Sequence, residues 1–173
     1  MFATLLVLRV VHILSAVIWA GTAIFLAAFL EPALRASGPA GAMVMLSLFK
    51  RKVFSIIPIF AVASVLSGAW MFWTDSNGFD SLWMGSPTGI GLSVGATFGV
   101  LALLVGLTVL GPTGNALGPL IEEAVKTPEG PARDAIMRKI GPLRDRLRLG
   151  GRLTAVLVVC AAIVMSVARY LGQ

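Results

Sequence analysis

Residues 10–30, 53–74, 81–121 and 153–168 contain no Asp, Glu, Lys or Arg. A hydrocarbon core about 30 Å thick requires about 20 apolar residues of helix. Each stretch supplies one such helix once its ends are trimmed or extended by a few residues. An acidic or basic side chain at a helix centre costs roughly 3 kcal/mol on insertion scales, so charge-free runs of this length mark segments built for lipid. The pattern predicts an all-α integral membrane protein: a four-helix bundle with spans at residues 4–30, 53–73, 89–110 and 153–171.

The chain has 173 residues, 57% of them hydrophobic and 13% charged. Four spans and their loops use nearly all of it, so residues 1–173 read as a single membrane domain with no soluble catalytic domain beside it. The net charge of +6 does not point to nucleic acid, because the basic residues sit in loops flanking the spans, as the positive-inside rule requires. Cys160 is the only cysteine, which excludes an intrachain disulfide and a CxxC motif. The run from Met1 to Leu30 is too long and continuous for a cleaved signal peptide and reads as a retained first span.

Glu31-Pro32 is expected to end the first span, since proline disfavours helix in the residue before it. Residues 42–49 read as a helical lead-in to the basic triplet Lys50-Arg51-Lys52. Gly111-Pro112-Thr113-Gly114 is expected to break the third span. The first loop carries Arg35, Lys50, Arg51 and Lys52 against Glu31, and the third carries eight Lys or Arg between Lys126 and Arg152, whereas the second has only Asp75 and Asp80. Basic loops stay cytoplasmic, which places both termini outside and, in a bacterium, the chain in the inner (plasma) membrane. Trp70, Trp73, Trp83 and Tyr170 then fall near the outer interface. Ile136, Ile140, Leu143 and Leu147 recur at helical spacing among arginines. They form an amphipathic cytoplasmic segment before the fourth span, kinked at Gly141-Pro142, which reads as an interfacial helix or as an extension of that span.

His12 is the only histidine, and an ionisable residue inside a span is a functional candidate because its burial is costly. It shares a helical stripe with Ser15, Trp19 and Thr22, which should face other helices. Ser67 and Trp70 on the second span lie at similar depth, as do Ser93 and Thr97 on the third and Met165 and Ser166 on the fourth. One histidine cannot make a tetrahedral zinc site. It suffices as an axial ligand of haem, alone or with a methionine such as Met165. Copper(I) is open to it together with the outer methionines. A structural histidine between helices is the alternative. Arg9 and Arg169, near the outer ends, can hold porphyrin propionates, pair with Asp75 or Asp80, or snorkel to the interface. Gly91, Gly95 and Gly99 form a GxxxGxxxG run, a helix-packing signal. No P-loop, nucleophile elbow or intramembrane carboxylate pair is present, which leaves hydrolytic and phosphoryl-transfer chemistry without a basis.

The run Arg9-Val-Val-His12-Ile-Leu-Ser-Ala-Val-Ile-Trp19-Ala-Gly21, followed by Leu30-Glu31-Pro32, resembles the opening of the HemJ-type protoporphyrinogen oxidases and the CopD-type copper-resistance membrane proteins. Arg51-Lys52-Val-Phe54, leading to Ser67-Gly68, is similar to the second helix of both. The resemblance covers roughly residues 5–73. It implies a four-helix bundle and, in the HemJ-type family, a haem b site at the first-helix histidine, which His12 matches. The third-helix lysine tied to HemJ-type activity has no counterpart, as residues 81–121 hold no lysine.

Three expectations follow. The first is a haem-b-associated membrane protein with a redox or porphyrin-linked role, in which His12 is the axial ligand, Arg9 and Arg169 hold propionates, and Ser67 and Met165 lie nearby. The second is a non-catalytic membrane subunit in which His12 is structural and the glycine run mediates assembly with a second copy or another membrane protein. The third is copper transport or resistance. The lipid bilayer is a partner in all three.

Overall fold

The computed structural model describes residues 2–171, the side chain of Phe2 excepted. Every regular element among them is helical: α1 Phe2–Phe25, α2 Glu31–Ala36, α3 Gly38–Lys50, α4 Val53–Asp75, α5 Ser81–Met84, α6 Pro87–Val105, α7 Gly111–Lys126 and α8 Pro131–Val167. Four continuous helical stretches, Ala3–Ala36, Val53–Asp75, Pro87–Lys126 and Pro131–Tyr170, are long and apolar enough to cross a membrane. Three of them run well past the expected spans.

Neither proline signal ends its helix. A wide π turn at Leu26–Leu30 carries α1 into α2, and another at Gly106–Leu110 carries α6 into α7. In each, the last N–H reaches back five residues, from Glu31 to the Leu26 carbonyl and from Gly111 to the Gly106 carbonyl. Pro32 and Pro112 follow directly. A proline inside a helix removes one donor and presses its ring on the carbonyl four residues earlier. Widening the preceding turn relieves both conflicts, so the helix continues instead of stopping.

The fourth helix likewise starts at Pro131 rather than at residue 153, and Gly141-Pro142 does not interrupt it. The amphipathic face of this extension is covered by the chain itself. Ile136 and Ile140 are buried against Leu117, Ile121 and Ala124 of α7, with Leu143 and Leu147 partly buried at the edge and Phe49 of α3 packed on the same cluster. An interfacial helix would need that face for lipid, and here it is already used. Leu117 is completely buried. Leu117→Ala should therefore lower stability by about 2–4 kcal/mol, read as a fall in the thermal unfolding midpoint of the detergent-solubilised protein.

In the apolar half, α1 lies along α4 and α6 lies along α8, while contacts of α1 with α8 and of α4 with α6 join the two pairs. One buried residue from each helix meets at the centre: Trp19, Ala61, Ala102 and Val158. Three small or medium side chains make room for one indole, which suits helices that associate in lipid by close packing rather than by a hydrophobic drive. Large apolar side chains such as Val17, Ile59 and Leu66 point away from this centre and are exposed, as lipid-facing residues should be.

The two ends differ. At one, Lys52 takes a left-handed conformation (φ 56°), which reverses the chain between α3 and α4 beside the basic residues. At the other, the turn after α4 is tied by Ser76, which is fully buried. Its hydroxyl donates to the Trp73 carbonyl (3.2 Å) and accepts from the Phe79 N–H (3.0 Å). Asp80 caps α5 by accepting from Trp83 N–H, and Ser86 caps α6 by accepting from Gly89 N–H, each at 3.0 Å. Such caps are worth about 1 kcal/mol each. Phe72 stacks edge-on against Trp83 (5.4 Å between centroids) over this turn. The basic end and the aromatic end are thus built from different chemistry.

Candidate functional site

His12 sits in the seam between α1 and α4. Its Nδ1 lies 2.7 Å from the Ser64 carbonyl oxygen. A carbonyl only accepts, so Nδ1 carries the proton and donates, and in the neutral ring Nε2 keeps its lone pair. Ser64 returns a longer bond, its hydroxyl donating to the His12 carbonyl at 3.5 Å. Gly68, one turn further along α4, is the notch for the ring: a methyl group placed there would stand 2.8 Å from Cε1 and 2.9 Å from Nδ1. The absence of a side chain at Gly68 is therefore what lets the imidazole reach the Ser64 carbonyl.

Ser67 forms no hydrogen bond to the ring. Its hydroxyl donates to the Ala63 carbonyl at 2.6 Å and to the Ser64 carbonyl at 3.1 Å, so Ser67 and His12 converge on one acceptor. On α1, Ser15 and Trp19 are buried, and His12 and Thr22 half-buried. The expected stripe does face neighbouring helices. On α4 the buried positions are Ala61, Ser64 and Ser67. Ser64 was not singled out from sequence. The small residues Ala61, Ser64 and Gly68 at helical spacing were the available signal for which face of the second span receives α1.

Met165 packs in the seam between α6 and α8, against Gly95, where an added methyl would meet its Cγ at 2.5 Å. Arg9 and Arg169 are exposed, and among the described residues neither forms an ion pair with Asp75 or Asp80 or with any other carboxylate. Of the glycine run, Gly91 and Gly95 are buried against α8, with Ala168 and Met165 as their neighbours. Gly99 has nothing within 4 Å of where its methyl would be, so it does not belong to the contact.

Among the described residues no three His, Cys, Asp or Glu side chains converge to hold a metal ion. Axial ligation by a single histidine does not require such a group. The ring meets half of what a haem ligand needs: a fixed orientation and tautomer, with the second nitrogen available. A cavity of about 580 Å³ lies further along the helices, from Trp19 toward the basic end, and His12, Arg9 and Arg169 are not in its walls. A porphyrin ligated by His12 would therefore not occupy this cavity. No protein-family model, curated protein or solved structure matches this chain.

Proposed function

We propose that this protein is a four-helix bundle of the bacterial inner membrane that carries haem b at His12, with both termini on the outer side and a redox or porphyrin-linked role. The observation that supports the reading is the hydrogen bond of Nδ1 to the Ser64 carbonyl. Ligating histidines almost always donate their other ring N–H to a carbonyl or carboxylate, which fixes the ring and raises its basicity. Here that partner is backbone, held in a helix, and the ring is seated in the Gly68 notch. Haem would supply one-electron chemistry. The chain's own residues would fix the ligand nitrogen, and Arg9, one turn before His12 and free of any carboxylate among the described residues, would meet a propionate as a bidentate donor. Arg169 would serve a second propionate.

The orientation rests on charge. The basic end carries Arg35, Lys50, Arg51, Lys52 and the arginines of the α8 extension, and basic segments remain cytoplasmic.

The test is the visible spectrum of the purified protein, oxidised and dithionite-reduced, with a pyridine haemochrome assay. A b-type signal approaching one haem per chain is expected from haem-replete cells. A colourless preparation from such cells overturns the reading and leaves His12 as a hydrogen-bonded packing residue of the α1–α4 seam.

A further inference from the structure

The cavity of about 580 Å³ is a space that the His12 reading does not use. Its volume falls within the roughly 300–1,000 Å³ typical of small-ligand sites. The floor is apolar, made by Trp19, Ala23, Ile57, Ala61 and Leu103. The rim is charged: Arg35, Lys52, Arg144 and Arg148 outnumber Glu31 and Asp145, and Asp145 is already paired with Arg148 at 3.1 Å. Arg35 and Arg144 form no ion pair among the described residues.

At 1.5 Å per helical residue, the distance from Trp19 on α1 to Glu31 at the start of α2 is about 18 Å, and from Ala61 on α4 to Lys52 just before it about 13 Å. The space is therefore a slot with an apolar bottom and a cationic mouth. Both π turns stand in its wall, through Leu26 and Ala27 on one side and Gly106, Leu107 and Leu110 on the other. Such turns recur at functional sites because they open a helix locally. A methyl group added at Gly106 would meet nothing within 4 Å.

A second observation concerns the wall between floor and rim. Thr154 is in the same wall and only 2% exposed, and its Oγ1 is buried without a hydrogen-bond partner. A threonine in a helix ordinarily satisfies its hydroxyl on the carbonyl four residues earlier. Leaving it unpaired costs stability, and at ten residues from Arg144, about 15 Å along α8, it stands beside the length of the slot rather than at its charged rim.

We infer that this slot binds a single-chain anionic amphiphile, its acyl chain against Trp19 and Ala61 and its carboxylate or phosphate head at Arg35 and Arg144. A two-chain phospholipid is too bulky to lie wholly within the walls, and a neutral head would leave the rim cations without a counter-charge. The site shares no residue with the His12 reading and stands or falls separately from it.

The full chain, delipidated in non-ionic detergent, is titrated with dibrominated stearate while tryptophan fluorescence is followed. Trp19→Phe identifies the signal from the floor. Saturable quenching of Trp19 is expected, competed by oleate, by lysophosphatidylglycerol or by both, and at least tenfold less by neutral monoolein. Competition by oleate alone assigns a fatty carboxylate, and by the lysolipid alone a phosphate head; either supports the inference. Arg35→Gln with Arg144→Gln, both on exposed positions that leave the packing intact, should weaken binding about tenfold. Quenching that rises without saturation, or equal competition by monoolein with no effect of the paired arginine substitutions, overturns it.

Discussion

Gly95→Leu is expected to break the α6–α8 seam and Gly99→Leu to leave it intact, although the two glycines are one helical turn apart in the same motif. The added Cβ at Gly95 would stand 2.5 Å from Met165 Cγ and 3.5 Å from the Ala161 carbonyl oxygen, whereas at Gly99 it meets nothing within 4 Å. Met165 Cγ is in the middle of its side chain, so the thioether cannot simply swing aside. Gly91 is more constrained still, because the neighbours of its missing methyl include Ala168 Cβ at 3.0 Å and Ala168 Cα at 3.3 Å. Overpacking of this kind costs about 3 kcal/mol. At roughly 2–4 °C per kcal/mol for a chain of this size, Gly95→Leu should lower the thermal midpoint in detergent by about 10 °C. Gly99→Leu should move it by about a degree. Equal losses at both positions would mean that α6 meets α8, or another chain, on a different face.

This contrast also marks how far the sequence could be read. Charge-free runs located all four long helices, because the cost of a charge in lipid leaves a compositional trace that no tertiary context removes. Helix ends were not legible in the same way. Glu31-Pro32 and Gly111-Pro112 carry a local stop signal, yet each helix passes through by opening a π turn at the five residues before it. Continuation there is favoured by packing: α7 contributes Leu117, Ile121 and Ala124 to the cluster that covers Ile136 and Ile140, and no residue near the proline announces this. The same cluster explains why an amphipathic pattern at residues 136–147 was open to two interpretations. Periodicity shows that one face is apolar but not whether lipid or protein covers it. The slot was invisible for a related reason. Its walls come from every long helix, and its one polar anomaly, Thr154, is defined by a hydrogen bond it does not make.

His12→Ala should remove most of the b-type signal, and Gly68→Ala should weaken it without touching the ligand. The two variants together separate a haem ligand from a packing histidine. In Gly68→Ala the new methyl would stand 2.8 Å from Cε1 and 2.9 Å from Nδ1. These are fixed ring atoms beside a rigid helix, so the imidazole must move away from α4, and the 2.7 Å bond to the Ser64 carbonyl lengthens or breaks. Loss of such an outer partner typically lowers metal-site affinity 10–100-fold. The expected result is a protein that still folds, retains haem only when haem is supplied in excess, and shows shifted Soret and reduced α bands because the ligand is less basic and its orientation is no longer fixed. A purely structural histidine predicts a different pair of outcomes. Both variants would lower the unfolding midpoint, since His12→Ala leaves a gap and Gly68→Ala a clash, and any haem signal would keep its band positions and stoichiometry. Band positions unchanged in Gly68→Ala, or an undiminished signal in His12→Ala, would move the haem away from this seam altogether.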